Sequence, residues 1–271
     1  MVSHGREETA GGSATASVRR GISWGAAPAT EDTDTLVLTA PSGVFVDLRY
    51  PKLSTLTSLA TPASHVSYWV FSGTAFNSDY SAAGHDTDGT EDTSDASAST
   101  ITMPHVTHTR FVHAIDNRAP PGSGPGSVQD AGDSMALPNG DHIEWGVMPN
   151  PATGVSELYK EVWRAAPQGA SAAQARVLRL QVKQGQQARG DALRIGDYFQ
   201  GVLQRGGADG QVVAGRFTRT VVDGVTGWAW DPRSTTTALP AGWAADDDEE
   251  EQKIGAEVTV EGLVWEVVEV A

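Results

Sequence analysis

The stretch TLVLTAPSGVFVDLRY, residues 35–50, decides the fold class. Aliphatic, β-branched and aromatic residues stand on both sides of Pro41-Ser42-Gly43, a turn sequence because proline fixes φ and glycine accepts a positive φ. The pattern therefore predicts a β-hairpin. Similar short runs bounded by Gly, Pro, Asp and Asn predict further strands. They cover residues 17–24, 65–75, 101–115, 142–147, 155–163, 176–183, 193–204, 212–222, 227–230 and 257–270.

Helical periodicity is scarce along the chain. Residues 53–59 and 169–174 could form a helical turn or two, whereas an α/β fold needs about ten residues of helix between successive strands. We therefore predict an all-β protein whose antiparallel strands close into barrels, since closure removes exposed sheet edges. With 271 residues, the chain is long enough for two such domains.

A weak internal repeat supports a division into two barrels. The motif WGAAP begins at Trp24 and WRAAP at Trp163, and Arg110-Phe111 has a counterpart in Arg216-Phe217. The Pro- and Gly-punctuated stretch 149–156 then marks the boundary. We expect a disordered N-terminus at 1–16, a first barrel with polar inserts at 17–152 and a second barrel at 153–271.

The composition excludes several classes of function. The net charge of −15 argues against nucleic acid as a partner, because nucleic-acid-binding surfaces concentrate Lys and Arg. The absence of cysteine rules out disulfides and thiol chemistry. No stretch approaches the roughly 20 apolar residues of a membrane span, and the N-terminus has no apolar run. We therefore expect a protein of the cytoplasm or nucleus that is not embedded in a membrane.

The motifs predict neither a metal site nor a cofactor. His105, His108 and His113 are the closest histidines. On a strand, however, His105 and His113 share a face about 27 Å apart while His108 points the other way, so they cannot form one coordination shell. No nucleophile elbow is present. The sequence leaves open whether catalytic residues converge from distant strands.

Tryptophan and arginine side chains are the candidate ligand-binding groups. Most of the eight tryptophans lie in apolar strands, where they either fill a barrel core or line a cavity. Arg110 and Arg216 each precede a phenylalanine and therefore point to the opposite face. With Phe outside, the arginine enters the lumen and needs a carboxylate or a ligand's anionic head; with Phe inside, it lies in water. The candidate residues are Trp24, Trp69, Arg110, Trp163, Arg216 and Trp265.

Several segments resemble a fungal family first recognised through a partner of a casein-kinase-I-type protein kinase. They are ISW at 22–24, EDTDTLVLT at 31–39, FVDLR at 45–49 and the pattern G-x-x-V-x-V-x-G-x-x-W-x-V-V-E at 255–269. The resemblance implies tandem calycin- or lipocalin-like barrels, a location in cytoplasm and nucleus, a kinase partner and no established catalytic activity. Asp47 and Arg49 match the family's pattern, and because alternate residues share a strand face they predict an ion pair on the barrel wall.

These observations leave three functions open. The first is a non-enzymatic interaction protein that associates with a casein-kinase-I-type kinase. Ser94, Ser97 and Thr100 follow Glu91 at intervals of three, the spacing of successive phosphorylation sites for a kinase that favours an acid or phosphate three residues before its target. The alternative is a carrier or sensor that binds a small apolar or amphipathic ligand in a barrel lumen. The third is a hydrolase or isomerase with its site at a barrel mouth. An open, aromatic-lined lumen favours the carrier, and filled barrels favour the interaction protein.

Overall fold

The computed structural model describes residues 8–9, 12–55, 68–79, 105–120, 122–168, 176–207, 210–246, 248 and 250–271. Within these ranges the regular structure is almost all β-strand, which confirms the predicted fold class. The described helical segments are a 3₁₀ turn, Leu53–Thr55, and one helix, α1, Ala241–Ala245. None of the helices in this part of the chain is long and apolar enough to span a bilayer.

The first sheet closes into a barrel. Its strands are β1 (Glu8–Thr9), β2 (Thr15–Trp24), β3 (Thr33–Thr39), β4 (Val44–Pro51), β5 (Trp69–Asp79), β6 (Thr107–Asp116), β7 (Gln129–Ala136), β8 (His142–Pro149) and β9 (Ser156–Ala165). The order is β1-β5-β4-β3-β2-β9-β8-β7-β6, and β6 pairs back onto β5. In the described chain, β2 to β9 therefore form an eight-stranded closed antiparallel barrel.

The hairpin predicted from residues 35–50 is confirmed as β3 and β4. The two strands pair from Thr33↔Pro51 to Thr39↔Phe45. Gly43 lies in the turn with φ 81, the left-handed conformation that the turn sequence predicts and that glycine adopts without strain.

The second sheet is a curled half-barrel. Its strands are β10 (Val177–Val182), β11 (Ala188–Ile195), β12 (Tyr198–Arg205), β13 (Val212–Val222), β14 (Val225–Trp230), β15 (Glu257–Val260) and β16 (Leu263–Val270). They run in the order β14-β13-β12-β11-β10-β16-β15. The concave face is filled by a core that includes Phe199, Leu203 and Trp265 and is covered by α1.

The other face of the second sheet packs on the outside of the barrel. Leu193 and Val202 of the sheet share a buried cluster with Leu38, Leu48 and Tyr50 of the barrel. Burial of this apolar surface stabilises the contact by about 25 cal/mol per Å² of buried area. The two halves therefore share a common core.

The boundary between the sheets lies further along the chain than the sequence predicted. Strand β9, Ser156–Ala165, pairs with β8 on one side and with β2 on the other. The first sheet therefore ends at Ala165 and not at residue 152. Trp163, taken as the start of a repeated unit, lies opposite Arg19 in the same sheet as Trp24, so the WxAAP motif does not mark equivalent positions in two domains.

One further expectation needs correction, and one strand was not predicted. Strand β2 begins at Thr15, and Glu8–Thr9 pairs with β5, so the ordered chain starts before residue 17. Strand β7 was not predicted, because its sequence QDAGDSMA lacks the β-branched and aromatic residues on which strand prediction depends.

Candidate functional site

The interior of the barrel holds a cavity of about 620 Å³. Small-molecule sites usually have about 300 to 1,000 Å³. Thr15, Thr39 and Asn77 line the cavity near one end of the barrel, and Arg49 and Glu161 line it farther in. The first barrel is therefore open inside, whereas the concave side of the second sheet is filled.

Three phenylalanines form an aromatic wall in this lumen. Phe45 of β4 lies with its ring centroid 5.8 Å from that of Phe71 and 5.7 Å from that of Phe111, both in edge-to-face geometry. Val37 and Ala75 pack against the same cluster. Edge-to-face rings of this kind form a rigid apolar surface that suits the hydrocarbon part of a ligand.

A network of ion pairs lies beside the aromatic wall. Arg49 donates to Asp47 Oδ2 from Nε at 2.9 Å and from Nη2 at 2.7 Å, which confirms the ion pair predicted on the barrel wall. Arg49 Nη1 lies 3.5 Å from Glu161 Oε1, which also accepts from Arg19 at 2.5 Å. Arg19 in turn donates to Glu31 at 2.8 Å. Burial by itself would lower the pKa of Arg49, but Asp47 and Glu161 raise it.

Glu144 and Tyr159 form a second polar pair in the lumen. Tyr159 Oη donates to Glu144 Oε1 at 2.9 Å. Gly132 and Gly146 make room for the pair, because a Cβ on either would lie 2.8 Å from Tyr159 Oη. Burial, followed by the neighbouring charge of Glu161, raises the pKa of Glu144 to about 8.

His113 joins the polar groups to the aromatic wall. Its ring stacks on Phe71 with centroids 4.4 Å apart. Nδ1 lies 2.8 Å from Asp116 Oδ2 and Nε2 lies 3.5 Å from Asp130 Oδ1. Burial would lower the pKa of His113, but the two carboxylates raise it to about 9, so His113 is an imidazolium at neutral pH. Nowhere in the described ranges are three or more His, Cys, Asp or Glu side chains grouped so that they could hold a metal ion.

Carboxyl groups outnumber basic groups on the cavity wall. Asp47, Asp130, Glu144 and Glu161 line it, and the basic groups among the described lining residues are the half-buried Arg49 and the exposed His142 and Arg164. Burial raises the pKa of Asp47 in spite of its pairing with Arg49. Three buried polar atoms on this wall, Asp47 Oδ1, Asp130 Oδ1 and Trp163 Nε1, have no hydrogen-bond partner within the described structure, although Asp130 Oδ1 lies 3.5 Å from His113 Nε2. Such atoms are costly unless a further group satisfies them.

A family match spans almost the whole chain. Residues 15–269 match the family described as "Protein HRI1". The chain belongs to the HRI1 family. Its fold is similar to the crystal structure of an uncharacterized protein, YLR301w, from Saccharomyces cerevisiae, with a TM-score of 0.64 and 17% sequence identity over 96% of this chain and 100% of the yeast chain. No curated protein matches the chain. Neither the family nor the yeast structure indicates an enzymatic activity.

The tryptophans proposed as ligand contacts of this HRI1-family chain divide into three groups. Trp163 lines the lumen cavity. Trp69 stacks on Phe71 with centroids 4.4 Å apart, and its indole nitrogen donates to Asp116 at 2.9 Å, so it supports the aromatic wall. Trp24 and Trp265 are not among the residues that line the cavity. Trp24 is half-buried with its ring centroid 6.2 Å from that of Tyr159, and Trp265 is fully buried in the filled second sheet.

Neither candidate arginine enters a lumen. Arg110 is half-buried, donates to Gln129 Oε1 at 3.2 Å and lies over the ring of Phe76, while the adjacent Phe111 faces the cavity. Arg216 is buried between the barrel and the second sheet, where it pairs with Asp34 at 3.2 Å. Arg and Phe point to opposite faces in both pairs, as expected. Arg216, however, points into the interface between the second sheet and the barrel, and not into a lumen or into solvent.

Sequence reasoning missed most of the lumen groups. Glu144, Tyr159, Glu161 and Asp130 were not singled out, although alternation along β9 places Tyr159, Glu161 and Trp163 on one face. Their convergence depends on which strands become neighbours. The proposed phosphorylation sites Ser94, Ser97 and Thr100 lie outside the described residues.

Proposed function

We propose that this protein is a carrier or sensor that binds a small amphipathic molecule in the lumen of the first barrel. The observation that carries the proposal is the cavity of about 620 Å³, bounded by the Phe45, Phe71 and Phe111 wall and by buried charged groups. Small-molecule sites commonly combine an apolar pocket with a few placed polar groups that orient the ligand.

The polar atoms left unpaired on the wall support the same function. Asp47 Oδ1 can accept a hydrogen bond and Trp163 Nε1 can donate one, and neither has a partner in the described chain. A ligand donor would satisfy Asp47 Oδ1 and a ligand acceptor would satisfy Trp163 Nε1, and each bond would recover the free energy that burial of an unpaired polar atom costs, about 1 to 3 kcal/mol.

A neutral dye and a cavity-filling variant test the proposal. Nile red is expected to gain fluorescence on binding and to saturate at one dye per chain. Ser17 lines the cavity from β2, so Ser17→Trp should fill part of it and weaken dye binding by at least about tenfold. Thr220→Trp, on an exposed position of β13, is the matched control and should bind as the wild type does.

The fold of both variants is checked by near-ultraviolet circular dichroism. Absence of saturable dye binding to the wild type, or equal binding by a folded Ser17→Trp variant, would overturn lumen binding.

The kinase partner stays a prediction from the resemblance, as does the location in cytoplasm and nucleus. Family membership is consistent with both, and neither depends on the lumen. A kinase could contact the outer surface of the protein while the barrel holds a ligand, so the two functions do not exclude each other.

A further inference from the structure

We infer that the polar group of the lumen ligand is a protonated amine, held by the carboxyl groups of Glu144, Glu161 and Asp47, with its apolar body against the Phe45, Phe71 and Phe111 wall. The inference rests on the proposed lumen function and adds the chemical class of the ligand.

The charge of the lumen and its immediate partners favours a cation. Six carboxyl groups belong to this network, of which Glu144 is largely protonated at pH 7, and three cationic groups face the other five. The acids are Glu31, Asp47, Asp116, Asp130, Glu144 and Glu161, and the cations are Arg19, Arg49 and His113. Uncompensated negative charge in a site of low dielectric constant attracts a positive ligand more strongly than the same charge in water.

Two of the carboxyl groups stand directly opposite each other. Glu144 of β8 and Glu161 of β9 are cross-strand partners in the register, and both side chains line the cavity. Like charges at opposed positions repel each other. The charge of Glu161 contributes to the raised pKa of Glu144, and an ammonium group between the two would favour the ionised form of Glu144 and pair with both carboxylates.

Asp47 gives an independent indication of a donor-rich ligand. Its residue is only 3% exposed, it lines the cavity, and Oδ1 has no hydrogen-bond partner among the described atoms. A primary ammonium has three N–H donors and no acceptor, which matches an unpaired carboxylate oxygen beside further carboxyl groups.

An anionic head group fits the lumen less well. Arg49 uses Nε and Nη2 on Asp47, and its Nη1 faces Glu161 at 3.5 Å. Arg19 is likewise engaged by Glu31 and Glu161. A ligand carboxylate would have to displace one of these buried pairs, and a separated buried charge is strongly destabilising.

Three matched ligands test the inference by isothermal titration calorimetry at pH 7: decylamine, decan-1-ol and decanoic acid. We expect decylamine to bind at least about tenfold more tightly than the alcohol, because a charged hydrogen bond contributes more than a neutral one. Decanoic acid should bind most weakly.

The variant Glu144→Gln should lower the affinity for decylamine by about tenfold and leave decan-1-ol unchanged. The amide can still accept the Tyr159 hydrogen bond, so the fold should persist. Glu257→Gln removes an exposed carboxylate of the second sheet, paired with Lys183, and serves as the control for net charge; it should bind decylamine as the wild type does.

Proton release on binding distinguishes a direct contact of Glu144 with the ligand from a purely structural role of Glu144. Because Glu144 is largely protonated at pH 7 in the free protein, binding of an ammonium should expel its proton. The apparent enthalpy of decylamine binding should then depend on the ionisation enthalpy of the buffer, and this dependence should be reduced in Glu144→Gln.

The possible failures are distinguishable. If none of the three ligands binds, and Nile red does not bind either, the lumen function itself is wrong. If decan-1-ol or decanoic acid binds as tightly as decylamine, lumen binding stands and the amine inference is overturned. Unchanged decylamine affinity in Glu144→Gln would likewise overturn the assignment of Glu144.

Discussion

Single residues inside the barrel carry charge where an apolar filling would be expected. Asp47 and Glu161 are 3% and 2% exposed, and both reach Arg49. Each buried ion loses several kcal/mol of hydration, which only close pairing offsets. A fully apolar interior would be simpler to stabilise, so the retention of these charges is consistent with a binding role.

His113 is the residue with the clearest pH dependence. Its pKa is raised from 6.5 to about 9, so the folded state holds the proton more tightly than the unfolded chain. The stabilisation is fully present below pH 6.5 and is lost as the pH rises through about 9. A shift of that size corresponds to about 3 kcal/mol.

We therefore expect His113→Gln to destabilise the protein most at pH 6 and to lose about 3 kcal/mol of that effect by pH 10. Urea unfolding of wild type and variant at pH 6, 8 and 10 measures it. The half-exposed His108, paired with Asp133 at 2.7 Å, gives the control variant His108→Gln, which should change the free energy of unfolding by less than about 1 kcal/mol. A difference between wild type and His113→Gln that stays constant with pH would contradict the assignment.

At the scale of elements, β4 is the strand that joins the two halves of the molecule. Val46, Leu48 and Tyr50 pack against the second sheet, and Phe45 and Asp47 face the lumen. The sequence of a strand that is buried on both faces is a nearly continuous apolar run and does not alternate cleanly between apolar and polar residues.

The pairing of β5 with β6 closes the barrel and depends on a close backbone approach. The register shifts between Ser72 and Gly73, and a Cβ on Gly73 would lie 2.1 Å from the carbonyl oxygen of Val112. Backbone atoms of a neighbouring strand cannot yield as a flexible side chain can, so any side chain here would push the two strands apart.

Gly73→Ala should accordingly lower the free energy of unfolding by at least about 2 kcal/mol. The matched control is Gly227→Ala in β14, where a Cβ would meet nothing within 4 Å; we expect a change within about 0.5 kcal/mol. Chemical denaturation measures both, and equal stability of the two variants would show that the closing strands can separate without cost.

For the whole molecule, a polar network fastens the barrel to the second sheet. Arg216 of β13 donates to the carbonyl oxygen of Leu48 at 2.9 Å and to Gln200 at 2.9 Å. Gln200 donates to the carbonyl oxygens of Leu36 at 3.0 Å and Val46 at 3.2 Å. These bonds cap backbone groups of β3 and β4 that face the second sheet, so the two sheets are expected to unfold together.

Arg216→Ala should destabilise the protein by about 3 to 5 kcal/mol, because it leaves the buried carbonyl oxygen of Leu48 and Gln200 Oε1 without this donor, whereas Asp34 keeps its pair with Arg233. Arg110→Ala, which removes a half-buried arginine at the barrel surface, should cost less than about 1 kcal/mol. Differential scanning calorimetry would also show whether one transition or two occurs. A loss below about 0.5 kcal/mol for Arg216→Ala would contradict an interface role.

Local sequence determined most of the strands, although it missed β7 and the turn that separates β11 from β12. The run 35–50 specified β3, β4 and the positive φ of Gly43, because steric preferences of the backbone act over a few residues. The alternation Phe45, Asp47, Arg49 also settled that these side chains share a face, since the period of a strand is two. The ion pair between Asp47 and Arg49 followed directly.

Tertiary structure decided which face became the lumen, where the first barrel ends and which charges meet inside it. Both faces of β4 are buried, so hydrophobicity along the strand cannot distinguish interior from interface. Strand β9 joins β2 across a sequence distance that no local pattern reports. The site exists because Asp47, Glu144 and Glu161 arrive on three different strands, and only the closure of the barrel brings their charges into one cavity, where low dielectric and mutual repulsion set their chemistry.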